Sequence, residues 1–399
     1  MTTRLRRLLV GVSAAVLLLV VMAGALDLWA MRRVEAAVAR LEPSEAWLHE
    51  GTLTVPAVPE GENRARAFRA AAALIDLAPL GDQRTLGSLV RGMPSERETG
   101  PIAADLRAVV DASRGALRVA DEARTRSRSN WEGDYLADAS GSRVPWNGAR
   151  TLSNLLYLAA RRGLDDGRAD DAALAMAAGL ALSASVRHEP SLVAQLVRCA
   201  FGMQHFGLVQ RLLSQTEPSK ASLDELARLL AEDREPRPSE IGLRAEMTHY
   251  HAVFVRRDVA APWGFARAWQ RLDHARYLET LGELLDSQMG PRPRPALEPP
   301  APPRWLVLTG TAQLALPALY RTMETSDLFT TQHGLVELGV ALSRYRLDHG
   351  RYPDELPALM PDFIVALPID ASTGRPPVYT REGTGFRLRA DALDWGVPR

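Results

Sequence analysis

The sequence predicts a membrane-anchored, mainly α-helical protein that ends in a small α+β domain. Three observations predict this fold class: an uncharged apolar run near the N-terminus, helical spacing of apolar residues between 33 and 288, and turn residues with short β-like runs at the C-terminal end. The 399 residues are 46% hydrophobic but only 6% aromatic. This composition favours a helical core rich in alanine and leucine over a β-sandwich.

The first element is an apolar helix. Leu8–Leu26 has no charged residue, and a helix of that length covers about 28 Å, which is close to the hydrocarbon thickness of a bilayer. Three arginines precede the run, and Trp29 follows it at a position that suits the membrane interface. We therefore predict a cytoplasmic N-terminus over 1–7 and a single inner-membrane helix over 8–28, with the remaining chain extracytoplasmic (periplasmic).

Two other interpretations of this end are open. A cleavable signal peptide is one, because Ala23-Gly24-Ala25 resembles a cleavage site, although the apolar run exceeds the ~7–15 residues of a usual signal core. The other is a membrane protein whose bulk faces the cytoplasm. A reporter fused after Arg399 that is active only in the periplasm distinguishes these topologies.

The region 33–288 is predicted to be an α-helical extracytoplasmic domain. Ser222 is expected to cap one of its helices, with Glu225 completing a capping box. Ala149–Leu164 and Ala169–Val186 resemble one tetratricopeptide-like hairpin, which is expected to be scaffold. The predicted helices are Met31–Leu41, Phe68–Leu77, Ala103–Ala123, Ala149–Leu164, Ala169–Val186, Pro190–Leu213, Ser222–Ala231, Gly242–Arg257 and Ala266–Gln288.

The polar stretch from Arg124 to Gly148 is predicted to be an ordered connection. Trp131, Tyr135 and Trp146 would anchor it to the helices, and stacking on a ligand is the alternative role of these rings.

The strongest candidate for chemistry is the segment Glu246–His251. Glu246 and His249 share a helix face, which is half of the motif of carboxylate-bridged di-metal bundles. His251 lies on the opposite side of the helix. No second Glu-x-x-His occurs in the chain, so the simpler prediction is polar residues on a helix surface or a local pair.

Other reactive residue types have structural interpretations. His188-Glu189-Pro190 would cap the following helix, with Glu189 near its positive end and Pro190 in its first turn. His205 is expected to be packed among aromatic residues. Cys199 is the only cysteine, so no intramolecular disulfide can form, and it is expected to be a small buried residue.

The final third of the chain is divided by proline. Gly290–Arg304 holds seven prolines, so 289–304 is predicted to be a semi-rigid linker. Residues 305–399 then form a helix and an α+β domain. The apolar start of this part, Trp305–Tyr320, is predicted to be a buried helix, with a second membrane span as the alternative.

Within that part, apolar spacing predicts a helix from Thr322 to Leu347 that ends at Gly350. Pro353 is expected to open a short helix in DELPALM. Val378–Arg381 and Phe386–Arg389 are predicted to pair as a hairpin.

One motif runs through this end of the chain. Its residues are Tyr345, Asp348, Gly350, Tyr352, Pro353, Leu356, Leu359, Leu367, Pro368, Asp370, Gly374, Pro377, Tyr379, Gly385 and Phe386. The order resembles the globular domain of type II secretion major pseudopilins over roughly Gln332 to Ala390. The resemblance implies a long helix packed on a short antiparallel sheet, which is a β-hairpin or a small meander. Pilus assembly and calcium binding do not follow, because the family's processing site is missing and Asp391 and Asp394 supply too few oxygens for calcium.

Together these features predict a non-enzymatic scaffold or interaction protein of the cell envelope. Its expected partners are the inner membrane, through the N-terminal helix, and envelope proteins, with an association with a secretion system. The 48 basic and 48 acidic residues cancel, so nucleic acid is not expected as a partner. No catalytic, cofactor-binding or metal-binding residue is assigned. The alternative is an envelope hydrolase or metal-dependent enzyme, with its site in the Trp131–Trp146 loop or at Glu246 and His249.

Overall fold

A computed structural model describes residues 3–41, 53–80, 86–91, 101–133, 135, 144, 146–260, 264–289, 311–391 and 393–398. The chain is mainly helical, 72% of it, with a small three-stranded antiparallel sheet at the C-terminal end. The mainly α class with a C-terminal α+β element is therefore confirmed. The described helices are α1 Thr3–Leu41, α2 Arg64–Ala73, α3 Leu86–Arg91, α4 Ala104–Ala112, α5 Arg114–Arg124, α6 Trp146–Asp165, α7 Ala169–Ala184, α8 Leu192–Gln215, α9 Lys220–Asp233, α10 Pro238–Ala260, α11 Phe265–Met289 and α12 Thr311–His349.

The N-terminal helix α1 runs unbroken through the apolar segment and the predicted helix Met31–Leu41. Two described helices, α1 and α8, are long and apolar enough to cross a membrane. Their surroundings differ, because the most apolar window of α1 is 6% buried and that of α8 is 61% buried. Helix α8 is thus a core helix, whereas most of the apolar surface of α1 contacts no other part of the described chain.

The C-terminal half of α1 packs alongside α11 in parallel. Asp27 pairs with Arg271 at 3.1 Å, and Arg33 pairs with Glu279 through two hydrogen bonds of 2.9 and 2.7 Å, so both helices run in the same direction. Small residues form the seam at seven-residue intervals, which lets the two backbones approach closely. These residues are Ala23, Ala30 and Ala37 on α1 and Ala268, Ala275 and Gly282 on α11.

Helices α6, α7 and α8 form the centre of the molecule. The hairpin of α6 and α7 confirms the predicted pair of helices, and Gly163 explains how closely the two helices approach. A Cβ atom at Gly163 would lie 2.8 Å from the backbone nitrogen of Ala172. Neighbouring helices cover α7 on nearly every side, so most of its residues are buried.

A buried ion pair joins the central helices to α12. The Arg198 guanidinium donates to the Asp233 carboxylate at 2.9 Å and to the carbonyls of Asp233 and Pro236 at 2.5 and 2.7 Å. The Ser183 hydroxyl donates to the other carboxylate oxygen at 2.9 Å. The Arg198 guanidinium also lies 5.5 Å from the ring centroid of Phe329 on α12.

The C-terminal part is one long helix followed by the sheet. Leu335, Leu338 and Leu342 on α12 are buried, as the predicted spacing requires. Gly350, at φ +75°, follows the last turn and confirms the predicted end of the helix.

The sheet has the order β1-β2-β3, with strands Val378–Glu382, Gly385–Ala390 and Leu393–Val397. The predicted hairpin is confirmed, and Tyr379 faces Leu388 in its register. Gly383, at φ +59°, provides the turn conformation that this two-residue connection needs. The third strand pairs Trp395 with Leu388 and completes a meander.

The C-terminal part shares its core with the central helices. A single buried cluster contains residues of α8 and α9 as well as of α12 and β2. Gln210 of α8 also donates to the carbonyl of Gly396 at 3.1 Å. Residues 290–310 lie outside the described residues, so the predicted linker over 289–304 and the start of the apolar run 305–320 are not described.

Several predicted helix boundaries are wrong. The helix predicted over Phe68–Leu77 begins at Arg64 and ends at Ala73, since Asn63 caps it by accepting a hydrogen bond from the backbone N–H of Ala65 at 3.0 Å. Ala103–Ala123 forms two helices rather than one. Ser113 breaks the run, and its hydroxyl accepts from the backbone N–H of Asp76 at 3.0 Å.

Two predicted caps are also wrong. Ser219, not Ser222, caps α9 by accepting a hydrogen bond from the backbone N–H of Ser222 at 3.3 Å. Glu225 therefore completes no capping box and instead binds Arg228. Ser191 is the cap of α8, so Pro190 precedes that helix.

A third correction concerns the segment after Pro353. It forms a 3-10 turn over Leu356–Leu359 instead of the predicted α-helix.

Candidate functional site

The residues predicted to anchor the Arg124–Gly148 connection do so around a buried carboxylate. Glu189 accepts hydrogen bonds from the backbone N–H of Trp131, at 2.8 Å, and from the hydroxyl of Tyr135. The indole N–H of Trp131 donates to Ser185 at 3.1 Å, and the rings of Trp131 and Trp146 lie 5.1 Å apart. The anchoring role of the three aromatic residues is thus confirmed; residues 134, 136–143 and 145 of this connection lie outside the described residues.

Glu189 does not have the role that the sequence predicted. We expected its charge near the positive end of α8, but its carboxylate points at the connection and is buried. Burial raises the pKa of Glu189, and the hydrogen bonds from Tyr135 and Trp131 oppose that rise. Burial and the Glu189 carboxylate also raise the pKa of the Tyr135 phenol. The phenol therefore stays protonated, and its hydrogen bond to Glu189 holds the connection against the helices.

His249 lies in the interior and Glu246 is half-buried, which corrects the prediction of a helix surface for His249. His249 is buried, and its Nδ1 atom lies 3.2 Å from the carbonyl oxygen of Tyr135. The structure therefore joins the two places that the sequence singled out, the aromatic connection and Glu246–His251. Part of the Glu246 side chain reaches the surface, but protein atoms surround the carboxylate, and burial raises its pKa to about 7.

The partner of Glu246 is an aromatic residue. The Tyr277 hydroxyl donates to the Glu246 carboxylate at 3.4 Å, so the acid with the raised pKa lies against a phenol. Such an acid can accept or release a proton near neutral pH. No nucleophile or cation among the described residues contacts it, so the arrangement shows a titrating group without a reaction partner.

His251 lies on the other side of α10, as the helical period predicted. Its Nδ1 atom lies 3.2 Å from Nε2 of His274, and Phe254 stacks on the His274 ring with a centroid distance of 4.6 Å. Burial lowers the pKa of His274 to about 3, so this imidazole stays neutral at physiological pH. Two imidazoles are too few for a zinc site, and the described residues hold no group of three or more His, Cys, Asp and Glu side chains that could bind a metal.

Cys199 and His205 are buried, as predicted. Burial raises the pKa of the Cys199 thiol to about 12, which suppresses the reactive thiolate. His205 is enclosed, with Nδ1 2.9 Å from the carbonyl oxygen of Phe201, and burial lowers its pKa to about 4. Both residues belong to the core.

One concavity of the described residues lies over α4, α5, α6 and α7. It measures about 340 Å³ and opens to solvent. Its floor is apolar and includes Leu117, Leu156 and the exposed Leu174. We call this feature the α4–α7 groove. Its volume is at the lower end of the range for ligand sites.

The charges at the rim of the α4–α7 groove largely neutralise one another. Asp111 binds Arg114 at 2.7 Å and Arg162 at 2.8 Å, and these two guanidiniums lower its pKa to about 2. Arg168 binds Asp171 at 2.8 Å. An apolar floor inside a rim of paired charges favours an apolar side chain with polar flanks, as in a protein segment, over a free ion.

Sequence reasoning missed the α4–α7 groove. The available signal was α7 itself, which is apolar after its first turn and yet belongs to a pair predicted to be scaffold. Leu174 is the large apolar residue of that helix that stays exposed, at the edge of the groove. Spacing within one helix cannot show which of its sides a distant helix covers.

Comparisons with family models, with curated proteins and with solved structures found no match to this chain. The resemblance of the C-terminal part to pseudopilins therefore stays a prediction.

Proposed function

We propose that this chain is a membrane-tethered interaction protein that works without catalysis. In this proposal α1 spans the inner membrane, and the helical domain outside the cytoplasm presents the α4–α7 groove to a protein of the envelope. The observation that carries the proposal is the contrast between the two ends of α1. The N-terminal end is apolar and uncovered, and the C-terminal end is firmly packed. The 18-residue apolar stretch of α1, of mean hydropathy 2.6, is left uncovered, and the C-terminal end of the helix is fixed to α11.

The uncovered end of α1 supports the membrane part of this proposal. Its large apolar side chains are exposed in a nearly continuous run: Leu9, Val10, Val12, Val16, Leu17, Leu18, Leu19, Val20, Val21 and Met22. Exposure of such an apolar surface to water is unfavourable, whereas lipid chains cover it favourably. The fixed end supports an uncleaved anchor, because removal after Ala25 would also remove Ala23 from the seam with α11.

Membrane tethering is tested by extraction of the full chain from bacterial membranes with alkaline carbonate. We expect wild type to stay in the pellet, and a variant with Val16→Lys and Leu19→Lys to move to the soluble fraction. The matched control carries lysines at the exposed apolar residues Leu174 and Val193 and should stay in the pellet. A wild-type chain found in the soluble fraction contradicts the proposal.

The side of the membrane is tested separately. A periplasm-active reporter fused after Arg399 should be active, and the same reporter placed before α1 should be inactive. The reverse pattern supports the cytoplasm-facing alternative.

The α4–α7 groove supports the interaction part. Part of its apolar floor is exposed although the rest of the central helices are tightly packed, and its paired charges leave no strong field to attract a small ion. Leu174 is the largest exposed apolar residue there. A partner that inserts an apolar side chain beside Leu174 would gain about 2 kcal/mol from burial.

The groove is tested by crosslinking in intact cells at an introduced photoreactive residue. A residue at position 174 should give a defined adduct that depends on an unaltered floor, and Leu117→Glu should abolish it. The control is the same photoreactive residue at Val193, which is 45% exposed against 36% for Leu174 but lies on α8 outside the groove. Equal adducts at both positions, or none at 174, contradict a binding role for the groove.

The secretion part of the proposal rests on the C-terminal element. A 39-residue helix followed by a three-stranded antiparallel sheet agrees with the long helix on a short sheet that the pseudopilin resemblance implies. Val378 on the edge strand β1 is exposed and is a natural crosslinking position. An adduct between position 378 and a pseudopilin, absent at position 193, is expected; its absence in secreting cells removes this part of the proposal.

A further inference from the structure

We propose that the last turns of α10 and the first turns of α11 lie in the headgroup region of the bilayer beside α1. The inference rests on the proposed function, since it takes α1 to be embedded in lipid. It concerns a further contact with the membrane, which Val255 of α10 and Phe265 of α11 make beside Leu28 and Trp29 of α1. Four exposed apolar residues define the contact, which we call the interfacial rim: Leu28, Trp29, Val255 and Phe265.

The register between α1 and α11 fixes the height of these turns. Arg33 and Arg40 pair with Glu279 and Asp286, a separation of 246 residues in both cases, and Arg271 contacts Asp27 at a separation of 244. Because the helices are parallel, Phe265 lies level with residues 19 to 21 of α1. The uncharged run of α1 ends at Leu26. At 1.5 Å per residue, Phe265 therefore lies about 9 Å inside that end of the run.

Helix α10 reaches the same level from the opposite direction. His251 contacts His274, and Asp258 binds Arg271 at 2.9 Å, so α10 runs antiparallel to α11. Val255 lies between these two contacts and is therefore level with residues 26 to 29 of α1. That level also contains Leu28 and Trp29, and all four residues of the interfacial rim are between 45% and 52% exposed.

The charged residues at this level of α1 are arranged for a medium less polar than water. Arg271 binds Asp258 through two hydrogen bonds of 2.9 Å and also lies 3.1 Å from Asp27. Arg267 lies 3.4 Å from the same Asp258 carboxylate. Two cations and two anions thus form one network at the level of the membrane boundary. Pairing of this kind lowers the cost of placing charges near lipid chains.

Lipid is the occupant that these observations select. A depth of about 9 Å agrees with the 5–10 Å by which interfacial segments enter the headgroup and acyl boundary. Trp29 lies with its ring centroid 5.8 Å from the Arg33 guanidinium, and an amphipathic aromatic ring of this kind suits the membrane interface. The exposed Arg256 is adjacent to Val255 and suits an anionic headgroup. The interfacial rim also continues directly from the uncovered surface of α1.

The experiment measures depth in the bilayer with nitroxide labels on single introduced cysteines. The chain's own cysteine, Cys199, is buried and does not react. The full chain, as V16C, F265C or L174C, is placed in vesicles of phosphatidylethanolamine and phosphatidylglycerol. Collision rates with oxygen, which concentrates in lipid, and with a water-soluble nickel chelate give the depth of each label. All three positions are exposed, so the variants should fold, and equal thermal unfolding is the check.

The expected result is a deep label at 16, an aqueous label at 174, and a label at 265 within about 10 Å of the lipid phosphates. A deep label at 16 with an aqueous label at 265 overturns the inference about α10 and α11 and leaves the tether intact. An aqueous label at 16 overturns the tether itself. The two failures are therefore distinguishable in one set of samples.

Discussion

Replacing Arg198 should destabilise the protein more than any exposed ion-pair substitution. Arg198→Met leaves the Asp233 carboxylate in the core with one remaining side-chain donor, the Ser183 hydroxyl at 2.9 Å. Both charged side chains are buried, at 0% and 3% exposure. Removing one partner of such a pair costs about 3–5 kcal/mol, because an uncompensated charge stays in the interior. This is a large fraction of the 5–15 kcal/mol that holds a typical domain folded.

The assay is urea unfolding of the full chain in mild detergent, followed by tryptophan fluorescence. The control is Lys220→Met, which removes an exposed pair with Asp348 and should cost under about 1 kcal/mol. The double variant Arg198→Met, Asp233→Leu should regain much of the lost free energy of unfolding, since two apolar side chains can be buried without charged partners. A loss for Arg198→Met no larger than for Lys220→Met would refute the reasoning and indicate that water reaches Asp233.

Three further predictions concern single residues. Burial raises the pKa of Glu246 to about 7 from its ordinary 4.5, so the contribution of this group to stability should be greatest below pH 4.5. The free energy of unfolding should then fall by at most about 3 kcal/mol by pH 7. Glu246→Gln should flatten that part of the melting-temperature profile, and an unchanged profile contradicts the assignment. Asn63→Ala should cost about 3 kcal/mol in urea unfolding, because its buried amide caps α2 and also bonds the backbone of Asn130 at 2.9 and 3.1 Å; a loss of a few tenths would show that the bridge is dispensable. Gly163→Val should lower the melting temperature by several degrees because the added atoms meet the backbone of Ala172, whereas Gly115→Val, at an open position, should change it only by the difference in helix propensity.

The sequence predicted those elements whose signals are local. Gly350 ends α12 and Gly383 turns the hairpin because each needs only its own backbone conformation. The α6–α7 hairpin was predictable from apolar spacing and a turn within a short stretch. These features depend on residues that are neighbours in the chain.

The failures depend on residues that are distant in the chain. Glu246 and His249 were expected at the surface, but the carbonyl of Tyr135, more than a hundred residues earlier, covers His249. Glu189 was assigned to the nearest helix end, while its true donor is the backbone of Trp131. Spacing cannot show which distant segment reaches a polar side chain, so the polar interior and the α4–α7 groove were not predicted.

The choice among nearby capping residues also failed. Ser219 and Ser222 are both acceptable caps by type, and only the conformation of the chain before α9 decides between them. The residues of strand β3 were not predicted, although a small meander was one of the two forms that the pseudopilin resemblance implied. Asp394 and Gly396 have low strand propensity, and pairing with β2 overrides that preference.

The absence of a break between the two ends of α1 has a mechanical consequence. A globular head on a floppy stalk samples many tilts, whereas here one stiff rod runs from the bare end into a seam with α11. If α1 spans a bilayer, the rest of the protein keeps one orientation and one height relative to the membrane. A passing protein would then always meet the same side of it, and a few glycines inserted near residue 22 should loosen that geometry without changing any contact surface.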